Sequence, residues 1–219
     1  MEVSKEIKVG IIAGTPYDTK LGVEYFREQN LKVFAEAVAA SPEEQNYLQY
    51  INPKKLEEIT LEKIENLKIK EAEYIIIYCN SLSAVLDKKK LEKLSAIRII
   101  TPLDIYKNLV IDKKRIAILA ANSQSAAKIE KMFMQKNPKL EYVSAGILPI
   151  VNYIEQRVDP ATIVKEYGLL EIISSFKKME IAKIVLGCTH FPYLEKEIMK
   201  IFPEIINPAQ EIVRQIKNY

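Results

Sequence analysis

Apolar residues along the chain fall into two kinds of run. Short stretches dense in Val and Ile, such as KVGIIAGT from Lys8 and RIAILAAN from Arg115, alternate with longer segments in which apolar positions recur every three or four residues. The first pattern is that of a strand buried on both faces, the second that of an amphipathic helix. Their alternation predicts parallel strands joined by crossover helices, an α/β fold. Strands are expected near 7–13, 33–39, 74–78, 98–100, 115–120, 142–145, 181–186 and 205–206. Helices are expected over 53–67, 82–94, 105–110, 124–135, 161–178, 193–201 and 209–217, with Leu56, Ile59, Leu61, Ile64 and Leu67 forming a buried stripe.

Composition narrows the class. With 219 residues, 48% hydrophobic and 28% charged, the chain suits a globular protein of one large domain or two small ones and not a disordered one. The longest apolar stretch, near 74–79, is far short of the roughly 20 residues of a membrane helix. The opening MEVSKEIKVG lacks the apolar region and cleavage site of a leader, so a cytoplasmic protein is expected. The net charge of +3 comes from 32 basic and 29 acidic residues that are interleaved, which gives no nucleic-acid footprint. The run Lys88 to Lys90 reads as the outer face of a helix. Gly10, Gly14 and Gly22 cluster around the first strand and a following loop, GTPYDTKLG, where backbone turns tightly or approaches a ligand. Neither the three-glycine dinucleotide fingerprint nor the phosphate-binding loop is present.

The chain repeats itself. KVGIIAGT corresponds to RIAILAAN, Lys8 matching Arg115 at an offset of 107 positions; EYIIIYCNS corresponds to AKIVLGCTH, Cys79 matching Cys188 at an offset of 109. Each cysteine follows a strand at once and precedes a small hydrogen-bonding residue, Asn80 or Thr189. Ligands of open parallel sheets bind outside the carboxyl ends of the strands, so two such lobes facing each other would bring both cysteines to one cleft. A single cysteine is more often a buried packing residue. A duplicated pair at matching strand ends points to chemistry.

Inverting a carbon centre by proton transfer takes a base on one face and an acid on the other, exchanging roles in reverse. A thiol titrates near enough to neutrality to serve as either. A helix after each cysteine would add a positive dipole end and backbone N–H groups suited to a thiolate and a carboxylate. A zinc site is poorly supplied by two separated cysteines and the single His190. Acyl transfer with His190 as base for Cys188 leaves Cys79 unexplained.

The segment LGCTHFPYL, Leu186 to Leu194, resembles the second-cysteine motif of bacterial glutamate racemases, and YCNSLSA, Tyr78 to Ala84, resembles the first-cysteine motif of the aspartate/glutamate racemase superfamily. The resemblance implies a cofactor-independent cytoplasmic isomerase of two pseudo-symmetric α/β lobes, each with a parallel sheet flanked by helices, with the active site in the cleft between them. The lobes would be 1–102, joined by a carboxyl-terminal helix at 208–219, and 103–207. It implies proton transfer by Cys79 and Cys188, assistance from His190, and amino-acid binding by Asn80, Ser81 and Thr189. No cofactor, metal, nucleic acid or membrane is implied; an amino acid is the small-molecule partner, and a homodimer is the family expectation.

Two departures bear on the substrate. Glutamate racemases carry Asp-Ser after the first strand, where this chain has Ala13 and Gly14. Its loop of Gly14, Thr15, Asp18 and Thr19 is closer in placement to that of aspartate racemases, and Asp18 either replaces the acid by reaching back or forms a turn. In LPIVN, Asn152 stands where a glutamate would be, with Glu155 one helical turn on. Arg157, Lys20 and Arg27 are candidate partners for a side-chain carboxylate. Racemisation of glutamate or aspartate leads; hydantoin racemisation, maleate isomerisation and a non-enzymatic anion-binding protein remain open.

Overall fold

A computed structural model describes residues 6–218. Residues 1–5, part of the opening segment read as lacking a leader, and Tyr219, the end of the expected last helix, lie outside them. The chain divides into two compact units, one running to Pro102 and resuming at Gln215, the other spanning Leu103–Arg214.

The first unit holds β1 (Lys8–Ala13), α1 (Pro16–Glu28), β2 (Lys32–Ala37), α2 (Pro42–Tyr50), α3 (Pro53–Ile69), β3 (Tyr74–Ile77), α4 (Asn80–Val85), α5 (Lys88–Ser95) and β4 (Ile99–Ile100). Helix α6 (Pro102–Asn108) begins at the boundary. The second unit continues with β5 (Arg115–Ala120), α7 (Ser123–Met134), β6 (Glu141–Gly146), α8 (Leu148–Glu155), α9 (Pro160–Glu166), α10 (Leu169–Lys178) and β7 (Lys183–Gly187). A 3-10 turn (Phe191–Leu194), α11 (Glu195–Ile201) and β8 (Ile205–Ile206) follow, and α12 (Pro208–Lys217) is divided by the unit boundary.

Each unit is built on a four-stranded parallel sheet, in the order β2-β1-β3-β4 and β6-β5-β7-β8. The registers match as well: Ile75 pairs with Ile99 and, at the corresponding places, Ile184 pairs with Ile205. The repeat read in the sequence is thus a repeat of topology. Val9, Ile11, Ile12, Ile75, Ile76 and Ile77 have no exposed surface, nor have Ile116 to Ala120 or Ile184 to Leu186. Strands of a parallel sheet covered on both faces are apolar throughout, which is why they show as continuous runs.

On α3, Leu56, Thr60, Ile64 and Leu67 are buried while Ile59 and Leu61 flank the core; the Thr60 hydroxyl donates to the Leu56 carbonyl at 2.7 Å, which satisfies it there. Several expectations are corrected. The segment taken as a loop through Gly22 is mostly α1, capped by Thr15 with Pro16 in its first turn, and Gly22 lies within that helix against Tyr78, whose Cδ1 a β-carbon would meet at 2.8 Å. The single helix expected over 82–94 is two, because Leu86 is extended and Asp87 caps α5. That over 161–178 is also two, since Gly168 takes φ 80, a conformation glycine adopts without penalty. Lys88 to Lys90 open α5, where Lys90 pairs with Glu57.

Candidate active site

In the first unit the chain runs from β1 outward to β2, then returns to β3 on the other side of β1. The carboxyl ends of β1 and β3 therefore flank the point where the winding reverses, the place at which open α/β sheets leave a crevice. The residues after β1 are Gly14 and Thr15; those after β3 are Tyr78, Cys79 and Asn80. In the second unit the same position lies between β5 and β7, and Cys188 follows β7.

Thr15 is 2% exposed and accepts from the Asp18 amide at 3.1 Å, the ordinary work of a helix cap. Thr19 donates its hydroxyl to the Thr15 carbonyl at 2.7 Å. Asp18 has no exposed surface and accepts at Oδ2 from the Gly14 amide at 3.3 Å. The turn of α1 thus returns a carboxylate to the end of β1, beside Ala13. The matching turn of the second unit is built alike, with Asn122 capping α7 through the Ser125 amide at 2.8 Å, but carries no acid there.

Cys79 occupies the cap position of α4, in extended backbone at φ −161 and ψ 122, and its side chain makes no capping bond. It is a thiol, 6% exposed. Its sulfur lies 3.6 Å from Gln45 Nε2 and 3.4 Å from Ser81 Oγ. Gln45 and Gln49 both reach Ser81 Oγ through Nε2, at 3.2 and 2.9 Å. Asn80 is 3% exposed, and among the described residues neither its Oδ1 nor its Nδ2 has a hydrogen-bond partner. A buried carboxamide with donor and acceptor both unsatisfied costs stability, and native proteins keep such groups where something else pairs with them.

Cys188 is 5% exposed, Thr189 3% and His190 6%. Backbone bonds from Phe191 to the Cys188 carbonyl and from Tyr193 to the His190 carbonyl, each 3.1 Å, fold them into the turn before α11. Each cysteine was expected to open a helix; α4 is a short one, and Cys188 is followed by this turn instead. His190 Nδ1 lies 3.6 Å from Cys188 Sγ, and His190 Nε2 lies 2.7 Å from Glu155 Oε1. A carboxylate accepts only, so Nε2 carries a proton and donates it. Nδ1 is left to exchange a proton with the Cys188 sulfur, as acceptor from the thiol or donor to the thiolate.

The acid facing His190 is therefore Glu155, at the end of α8, while Asn152 on the same helix is exposed. Lys20, Arg27 and Arg157 are exposed too, and Lys20 pairs with Glu24 at 3.7 Å. Gln45 and Gln49 were missed because α2 carries little apolar period to read, although Ser41 and Pro42 announce its start. Among the described residues no three His, Cys, Asp or Glu side chains group to hold a metal ion.

No family model matches the chain. A glutamate racemase of Clostridium botulinum is 28% identical over 208 residues, 85% of this chain and 80% of that one. Among solved structures, a glutamate racemase of Francisella tularensis in complex with D-glutamate superposes with TM-score 0.71 at 20% identity, over 97% of this chain and 80% of that one. An aspartate racemase of Picrophilus torridus superposes with TM-score 0.70 at 12% identity, over 96% and 93%. These structures share the fold.

The contrast between Glu155 and Asn152 is measurable as stability. Glu155→Leu removes the acceptor of a buried imidazole N–H and is expected to cost about 1–3 kcal/mol in denaturant unfolding. Asn152→Ala, at an exposed position, is expected to change stability by about 0.5 kcal/mol or less. Equal effects would remove Glu155 from its assigned place.

Proposed function

The chain belongs to the aspartate/glutamate racemase superfamily, and from that premise we propose that it racemises an acidic amino acid, glutamate or aspartate, by two-base proton transfer through Cys79 and Cys188. The observation that carries the proposal is the duplication itself: two thiols at corresponding carboxyl ends of β3 and β7, beside the reversal point of each sheet. In this reading one thiolate takes the α-proton while the other thiol delivers a proton to the opposite face of the carbanion. The roles exchange in the reverse direction, so neither enantiomer needs a separate machinery.

The two half-sites supply different help. Cys188 passes its proton along the line to His190 Nδ1, and Glu155 stabilises the imidazolium that results. Cys79 is served by hydrogen-bond donors. Asn80 supplies the reason for an amino-acid substrate: its unpaired Nδ2 suits a carboxylate and its unpaired Oδ1 an ammonium group, and a zwitterion offers both. Gly14, Thr15, Asp18, Thr19, Asn152 and Thr189 complete the proposed binding set, and Ser81, expected there too, turns its hydroxyl to Cys79, Gln45 and Gln49. Asp18 stands for the family's missing acid after β1, and relatives named glutamate racemase favour glutamate. The proposal includes independence of any cofactor, a cytoplasmic location and assembly as a homodimer. No helix among the described residues is long and apolar enough to cross a membrane.

Single enantiomers of glutamate and aspartate incubated in heavy water should gain α-deuterium and lose optical activity. Cys79→Ala and Cys188→Ala, folded by circular dichroism, should each reduce racemisation by at least about 10²-fold, as expected for loss of a general acid or base. Absence of exchange with both amino acids would defeat the reading, and full racemisation by either variant would defeat the two-base scheme. Replacing Asn80 tests the substrate contact in the opposite sense. Asn80→Leu should raise the melting temperature of the ligand-free protein by relieving an unpaired buried amide, while turnover is lost. Lowered stability with turnover intact would show Asn80 to be structural.

A further inference from the structure

We infer that Gln45 and Gln49, on α2, are positioning residues that direct the Ser81 hydroxyl proton at Cys79 and thereby hold Cys79 as the thiolate. The inference rests on the reading of Cys79 as a proton-transfer residue and adds what sets its protonation state.

It follows from the hydrogen-bond inventory of Ser81. A serine hydroxyl has two lone pairs and one proton. Gln45 Nε2 at 3.2 Å and Gln49 Nε2 at 2.9 Å both donate to Ser81 Oγ and fill the two lone pairs. Among the described contacts of Ser81, the place left for its proton is the Cys79 sulfur at 3.4 Å. Gln45 Nε2 also approaches that sulfur, at 3.6 Å. The sulfur therefore receives an O–H and an N–H, and donors to a charged acceptor favour the charged form.

The helix that carries the two amides is fixed to the same core as the thiol. Leu48, 5% exposed, packs in the cluster that contains Cys79, Ile77 and Leu82. Gln49 is itself 6% exposed, so its carboxamide is committed inside the protein. Gly14 completes the arrangement, since a β-carbon there would lie 2.0 Å from Gln45 Oε1. The glycine after β1 leaves room for the amide that serves the cysteine after β3. Carboxylates on the surrounding elements include Asp18 on α1, which accepts from the Gly14 amide, Glu36 on β2, which pairs with Lys70 at 2.8 Å, and the exposed Glu43 and Glu44 on α2; the others on α1 and α3 are Glu24, Glu28, Glu57, Glu58, Glu62 and Glu65.

The chain has two cysteines, so Cys188→Ser leaves Cys79 as the one remaining thiol. Its protonation can then be followed by NMR of the isotope-labelled cysteine β-carbon as pH is varied, with no substrate and no turnover. The midpoint is expected below the ordinary thiol range. Gln45→Met, which keeps the volume and removes the donor, should raise it by about one pH unit, a tenfold loss of thiolate near neutrality. Gln45→Glu and Gln49→Met should move it in the same direction. Gly14→Ala should do so as well, although it leaves both amides in the sequence, because it displaces the end of the Gln45 side chain. Should Gln45→Met fail to fold, Gln45→Glu and Gly14→Ala decide the matter.

An ordinary midpoint in the parent, or midpoints unchanged by these substitutions in folded protein, would overturn the inference. Failure here is separable from failure of the racemase reading. A shifted titration in a protein that exchanges no α-proton defeats the reaction alone, and an unshifted one in an active racemase defeats the positioning role alone.

Discussion

The parallel pairing of β1 with β3, repeated in the pairing of β5 with β7, is the constraint from which the candidate site follows. Parallel strands cannot be joined by a tight turn, so each return carries a helix across a face of the sheet, and all strands of the unit end on the same side. Where winding reverses next to β1 and β5, the connections lead away to opposite sides of the sheet and leave the neighbouring strand ends uncrossed. Cys79 and Cys188 leave their strands at those ends, and the buried runs of Ile and Val behind them hold the strands in fixed register. The chemistry is local, but its placement is a property of the sheets.

The repeat supplies equivalent sulfurs in unequal surroundings. Cys188 has an imidazole backed by a carboxylate, the arrangement proposed to accept or return a proton. Cys79 has the Gln45 carboxamide and the Ser81 hydroxyl, with Gln49 behind the hydroxyl, groups that form hydrogen bonds without changing their own charge. In the proposed reaction one sulfur is charged while the proton is kept on the side of the other, on the thiol or its imidazole, and the reverse direction exchanges the two. Different neighbours give such a difference without breaking the duplicated backbone. The same asymmetry appears at the ends of β1 and β5, where Asp18 has its counterpart in Ser125.

Much of this was legible in the chain because burial writes itself into composition. Continuous apolar runs announced the parallel strands, and their duplication announced two sheets of one topology. The cysteine motifs carried the candidate chemistry. Three helices did not announce themselves by period. In α1 and α2 the informative signals were a cap and a first-turn proline, Thr15 with Pro16 and Ser41 with Pro42, and in α8 the first-turn Pro149 alone. Gln45 and Gln49 were invisible for a related reason. A polar residue that turns inward to serve another side chain leaves the same trace in sequence as one that faces water, and only the fold distinguishes them. Glu155 was visible as an alternative to Asn152, but the choice depended on which turn of α8 meets His190.

The central proposal is that Cys79 and Cys188 act on one α-carbon from opposite sides. A crystal structure with an acidic amino acid bound tests it most directly. The account predicts both sulfurs at roughly 3–4 Å from the α-carbon on opposite faces, the separation of reacting groups poised for transfer. An amino acid whose α-carbon lies near one sulfur only, or with both sulfurs on one face, would contradict it.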